Sequence, residues 1–211
     1  MNWDDGVRWH LEQLEAPDLT TDPLLIEAVR DDHLRAPNGT AEDDYIAGLM
    51  ATSLRMAERV TNRSLLPTSW RQVMDRFPYE IVLQRPPLMT VTSIVYVDPD
   101  GVEQTLAGGS PEAFWVSAPL GPKAPKGRLR PLYGTSWPAT RCQPDAVRVT
   151  FTGGYPLGAD GIADIPEDIT HGRLLVIGEL YKQRSESVHA FNQNPALIRA
   201  RDLFLGYRSN G

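Results

Sequence analysis

Cysteine is nearly absent. Cys142 stands alone among 211 residues, so no intrachain disulfide can form, and with no nucleophile signature around it the residue reads as a small inert side chain. Long apolar runs are missing too: nothing approaches the ~20 residues that span a bilayer. The opening M-N-W-D-D-G has neither the basic nor the apolar stretch of a signal peptide, so the expected compartment is reducing cytoplasm. The four histidines (His10, His33, His171, His189) are scattered, none in an H-x-x-x-H pair. With no cysteine cluster to join them, no metal site is expected. Phosphate-loop, dinucleotide and nucleophile-elbow patterns are missing as well. No catalytic residue, cofactor site or metal ligand is therefore assigned. Asp164, Glu167 and Asp168 could pair for acid–base chemistry, but a helix start explains them more simply. A dispersed Ser/His/Asp site stays open.

Positive charge is scarce in the first third. Residues 1–64 hold 13 acidic and 6 basic side chains, whereas residues 65–211 hold 14 and 15. An acidic half argues against tight wrapping of nucleic-acid phosphates. It suits either plain solubility or a surface that DNA slides past.

The most informative stretch runs from Val147 to Arg184. Val147, Val149 and Phe151 alternate with Arg148, Thr150 and Thr152, the period of a half-buried strand. Gly153-Gly154 stops that strand, and Pro156, Gly158 and Gly161 keep the next segment a loop. Pro166, Glu167 and Asp168 suit a helix start. Ile169 to Tyr181 is apolar around much of its circumference, which predicts a helix buried among neighbours; His171 in its first turn reads as structural.

The remaining elements follow in order. Residues 1–21 read as a short helix around Val7–Leu14 or an unanchored arm. Asp22-Pro23 starts a helix to about Arg35. Thr40-Ala41-Glu42-Asp43 matches a capping box, and Ile46, Leu49, Met50, Met56, Ala57 and Val60 carry a second helix to about Asn62. Strands are predicted over Trp70–Phe77, Glu80–Gln84, Val91–Val97, Val102–Leu106, Phe114–Val116 and Arg128–Leu132, with a turn at Asp98-Pro99-Asp100-Gly101. Pro195 opens a last helix through Leu205. The predicted class is α+β: a helical bundle of two N-terminal and two C-terminal helices with an inserted β-rich lobe. The expected parts are an extension (1–21), a discontinuous bundle (22–64 with 165–208) and the lobe with its connecting loop (65–164).

Two segments carry interface chemistry. Lys123, Lys126, Arg128 and Arg130 fall within eight positions with no acid among them. They read either as a solvated loop or as a docking segment for an acidic surface, such as that of a neighbouring copy; nucleic-acid contact is a third reading, weakened by the lack of interleaved aromatics. Near the C-terminus, Phe204 and Tyr207 are aromatic anchors three apart with Arg208 beside them, residue types that dominate binding energy at interfaces. Ser209-Asn210-Gly211 reads as flexible until bound. The alternative is that this helix simply completes the bundle.

With these elements in place, the chain resembles the head–tail connector, or adaptor, proteins of tailed bacteriophages, found also in prophages and gene transfer agents. The matching pieces are the helix pair L-I-E-A-V-R-D-D-H-L-R and E-D-D-Y-I to N-R-S-L, then T-S-W-R-Q-V-M-D-R-F-P, I-V-L-Q-R-P-P-L-M-T-V-T-S-I-V-Y-V-D-P-D-G, W-P, A-V-R-V-T-F-T-G-G-Y, the I-P-E-D-I helix ending L-Y-K-Q-R, and D-L-F-L-G-Y-R. The ordered set spans most of residues 22–208; Gly206 departs from a proline at that place. The resemblance implies a structural virion protein of the neck, assembled in the host cytoplasm. It implies an oligomeric ring, usually a dodecamer, that binds beneath the portal protein and extends the DNA channel without sequence-specific binding. It also implies a platform for a tail-completion or stopper protein, with no membrane partner. Portal attachment is then expected at Phe204, Tyr207 and Arg208, and subunit contact at Lys123, Lys126, Arg128 and Arg130. The alternative from a different class is a small enzyme with a dispersed site, or another virion or tail binding module. An enzyme should show converging polar groups in a concave site.

Overall fold

The computed structural model describes residues 2–4, 6–36, 39–106, 114–183 and 194–209. Among them the chain is α+β and divides into two units. One comprises Met1–Leu19 with Leu66–Pro156; the other comprises Thr20–Leu65 with Leu157–Gly211.

The first unit is built on β9 (Val147–Gly153), whose alternation buries Val147, Val149 and Phe151. It pairs on one side with β3 (Thr68–Met74), setting Trp70 opposite Phe151 and Gln72 opposite Val149. On the other side lies β5 (Leu88–Val97), with register shifts at Leu88/Thr90 and Val91/Ser93. The strands β1 (Asn2–Asp4), β2 (Val7–Gln13) and β6 (Glu103–Leu106) complete an antiparallel sheet in the order β1-β2-β3-β9-β5-β6. Beyond Gly153, Gly154 has φ 145°, and a Cβ there would lie 2.6 Å from the Leu66 backbone, so only glycine fits. Gly101 at φ 89° closes the β5–β6 hairpin, with its N–H donating to the Asp98 carbonyl at 2.9 Å.

A smaller sheet, ordered β4-β8-β7, uses β4 (Ile81–Val82), β7 (Phe114–Ser117) and β8 (Arg128–Pro131). Ile81, Phe114 and Leu129 turn inward into one core with Trp70, Val91, Ile94, Val149 and Phe151. The buried Gln72 amide reaches from β3 toward β4. Its Nε2 donates to the Val82 carbonyl at 3.1 Å, and its Oε1 accepts the Gln84 N–H at 3.1 Å, so neither end is left unpaired.

The N-terminal residues overturn one expectation. Val7–Gln13 is neither a helix nor a loose arm but a strand paired with β3 from Trp9↔Met74 to Gln13↔Trp70. Val7, Trp9 and Leu11 alternate with Arg8, His10 and Glu12, a two-residue period that a helix reading overlooks. Arg8 fixes the register further through an ion pair with Asp75 at 3.1 Å.

The second unit is helical. Helix α1 (Ile26–Ala28) runs directly into a π-helical stretch, Val29–Leu34, closed by Arg35 in the left-handed region. Asp22 accepts the Leu24 N–H at 3.0 Å just before it. Helix α2 (Asp43–Thr61) ends at left-handed Asn62. The expected capping box is not formed. Residues 39–42 wind into a 3₁₀ turn, and Glu42, the N-cap, makes no side-chain cap bond. Its carboxylate instead accepts a short hydrogen bond from the Tyr181 hydroxyl. Helices α3 (Glu167–Lys182) and α4 (Pro195–Leu205) follow; Asn194 caps α4 by accepting the Ala196 and Leu197 N–H groups. Leu24, Val29, Ile46, Leu49 and Ile177 form one core, against which Leu174, Leu180 and Tyr181 pack. Helices from both ends of the chain thus share an interior. Met56, an expected member, is only half-buried.

Candidate functional site

No helix is long and apolar enough to cross a membrane among the described residues. Among the same residues, no group of three or more His, Cys, Asp or Glu side chains could hold a metal ion. Cys142 is exposed, so it is not a packing residue. A cavity of about 280 Å³ in the helical unit is lined by His33, Leu174, Gly178, Glu179, Tyr181 and Lys182 among others. Three of its polar side chains, His33, Glu179 and Tyr181, bond to protein, while Lys182 is exposed. The His33 Nε2 is 2.9 Å from the Leu174 carbonyl, and the Glu179 carboxylate takes the Asn194 and Gln183 amides.

Inside the same unit is an ion pair that sequence reasoning missed. Arg173 on α3 is fully buried and donates through Nη1 and Nη2 to the two Asp22 oxygens at 2.8 and 2.5 Å. The Ser53 hydroxyl of α2 lies 3.4 Å from its Nε. Asp22 therefore both holds the turn that leads into the first helix, through the Leu24 N–H, and anchors that turn to α3. Arg173 sits where the sequence shows only one arginine between Gly172 and two leucines, so no local pattern marks it.

The three C-terminal candidates separate. Phe204 is buried with its ring edge over Gly172, where a Cβ would approach to 2.6 Å. The residue turns inward because α4 presses closely on α3, and it is not a surface anchor. Tyr207 is half-buried: its hydroxyl donates to Asp168 at 2.8 Å, and its carbonyl accepts the Arg63 Nε at 2.6 Å. Burial, aided by the bond to Asp168, raises the Tyr207 pKa above its ordinary value. Arg208 is exposed. The expectation of a flexible end fails at Ser209, which is buried and donates its N–H to the Thr61 carbonyl at 2.8 Å; residues 210 and 211 lie outside the described residues.

The basic segment also divides. Lys123 and Lys126 precede β8, while Arg128 and Arg130 stand on its outward face. Both arginines converge on Glu80: Arg128 Nη1 donates at 3.1 Å and Arg130 Nε at 2.6 Å. The bond and charge of Glu80 raise the Arg130 pKa further. Arg130 lies 5.6 Å from the Tyr79 ring centroid and pairs across the sheet with Trp115. Alternation about Phe114 and Leu129 would have pointed Trp115 and these arginines outward; the link to Glu80, 48 and 50 positions away, has no local signal.

No family model matches the chain, and no curated protein matches it in sequence. Solved structures do match. A chain of the virion of a native gene transfer agent (GTA) particle aligns with TM-score 0.70 at 23% identity, covering 95% of this chain and 96% of that one. Chains from the neck of an empty GTA particle, computed with C6 symmetry, and from the neck of a native GTA particle, computed with C12 symmetry, align with TM-scores 0.69 and 0.68. Their identities are 22% and 20%, and 96% of both partners is covered in each case. The chain thus shares, from end to end, the fold of chains found in gene transfer agent particles, two of them in the neck.

Proposed function

We propose that this chain is a structural neck protein, a head–tail connector that binds beneath a portal as an oligomeric ring. The observation that carries the reading is the end-to-end fold match, over 95% or more of both chains, to chains of a GTA virion and of two GTA necks. The C6 and C12 symmetries used for those necks support a ring, and the C12 neck favours twelve copies. The ring would continue the DNA channel, let DNA pass without sequence-specific binding, and present a platform for a tail-completion or stopper protein. It would reside in the virion neck after assembly in the host cytoplasm. The likeness to chains of a virion and of necks supports a structural role over a catalytic one.

Portal attachment falls to the C-terminal segment through Tyr207 and Arg208, with Phe204 holding α4 from within. The decisive experiment mixes purified chain with the portal encoded near it and images the product by electron microscopy. A ring on one face of the portal is expected; portal particles with no added density would overturn the reading. Arg208→Glu should weaken attachment while leaving the fold unchanged, and undiminished binding would move attachment elsewhere.

A further inference from the structure

The outward face of the small sheet is built like a binding surface. Trp115 is 54% exposed on β7 and Tyr79 is 77% exposed beside β4. Between them stand Arg128 and Arg130, partly exposed, with Glu80 only 14% exposed beneath. Glu80 fixes both guanidinium groups, and the Tyr79 ring lies against one of them. Side chains held in place lose less freedom on binding, and Trp, Tyr and Arg are the types that most often dominate interface energies. Two guanidinium groups face one carboxylate, so the patch keeps a positive excess. Each fork has five N–H donors, and Glu80 engages few of them. The partner that fits carries carboxylates next to apolar surface.

This chain presents such a surface itself. Around α1, the π-helical stretch and the start of α2, Glu27, Asp31, Asp32 and Asp44 are exposed. Leu25 and Tyr45 are exposed beside them. Arg30 ties this corner together, bonding Asp31 at 2.7 Å and Asp43 at 3.0 Å, and neutralises only part of the charge. The aromatic–basic and acidic faces belong to different units, so they suit a contact between unlike patches. Such head-to-tail contacts repeat around a ring when the rotation closes.

We propose that the Trp115–Arg130–Arg128–Tyr79 face of the small sheet docks onto the acidic α1–α2 corner of a second copy of this chain. The proposal rests on the ring reading above and names the contact that would propagate it.

The test is a charge exchange in the portal-mixing assay. Arg128→Glu with Arg130→Glu, and separately Asp32→Arg with Asp44→Arg, should each reduce ring occupancy by about tenfold or more. A chain carrying all four changes sets the new glutamates of one copy against the new arginines of the next and should recover rings at least in part. Trp115→Ala guards against local disruption at Glu80: it should lower occupancy while circular dichroism and melting temperature stay unchanged. Rings that persist through both reversals overturn this contact and leave the ring reading intact. Loss with either reversal but no recovery in the fourfold variant assigns the face to another acidic protein and overturns the second-copy contact. Loss of DNA retention with rings intact assigns it to nucleic acid and overturns it equally. If the unmodified chain makes no ring on the portal, the neck reading falls, and sedimentation of the chain alone at rising concentration decides the contact. Salt-sensitive self-association abolished by either reversal supports it; a monomer throughout overturns it.

Discussion

Replacing Arg173 by methionine isolates the buried ion pair of the helical unit. Methionine keeps most of the apolar stem and removes the guanidinium. Asp22 then retains the Leu24 N–H at 3.0 Å and loses the charged donors at 2.8 and 2.5 Å. The two side chains are 0% and 3% exposed, so water does not replace what is removed. Removing one member of such a pair costs roughly 3–5 kcal/mol. Asp22→Ala should cost a similar amount, with about 1 kcal/mol more for the lost hydrogen bond from the Leu24 N–H; it leaves the guanidinium with the Ser53 hydroxyl at 3.4 Å. The combined variant strands neither charge and should lose far less than the sum, giving a large coupling in the double-mutant cycle. All five tryptophans (Trp3, Trp9, Trp70, Trp115, Trp137) fall in the strand-rich unit. Urea unfolding of the helical unit is therefore followed by far-UV circular dichroism, with fluorescence reporting the other unit. A loss below about 1 kcal/mol for Arg173→Met, or losses that simply add, would refute the reasoning.

Gly172→Ala should destabilise by about 1–3 kcal/mol: the new methyl meets the buried Phe204 ring at 2.6 Å, outweighing the helix propensity gained. Chemical denaturation checks the sign, and a more stable variant contradicts the packing. Deleting Tyr207–Gly211 removes the Arg63–Tyr207, Tyr207–Asp168 and Ser209–Thr61 hydrogen bonds. At roughly 0.5–1.5 kcal/mol each, the loss is about 2–4 kcal/mol and the melting temperature should fall; an unchanged value would show that these bonds do not hold the fold. Asp98 has its pKa lowered by bonds from the Gln104 side chain and the Val102 N–H. A lowered carboxyl pKa stabilises the fold above the ordinary Asp value of about 4 and loses that contribution as pH falls through the folded value. Amide exchange at Gly101 and Val102 should therefore speed up, at matched intrinsic rate, on acidification, and not in Asp98→Asn; the same profile in both proteins rejects the assignment.

Much of the architecture is written in short-range pattern. The alternation of Val147, Val149 and Phe151 marks β9, the Asp98-Pro99-Asp100-Gly101 turn marks the β5–β6 hairpin, and the Asn194-Pro195 start marks α4, because each depends on neighbours a few residues away. The helical unit could also be anticipated, since Ile46, Leu49, Ile177 and Leu180 need apolar partners that only the opposite end of the chain supplies. Tertiary structure alone decided the rest. Asp22 and Arg173 lie 151 positions apart, and no local rule brings them together. The Leu197–Ala200–Phe204 spacing marks the apolar side of α4, but that Phe204 presses on α3 depends on Gly172, which lets the two helices approach. The strand carrying Arg128 and Arg130 could be anticipated, but not that Glu80 gathers both arginines, because that depends on the pairing of distant β4 and β8. Periodicity is set along the chain, whereas the pairing of buried charges and the choice of exposed face depend on which distant surfaces meet.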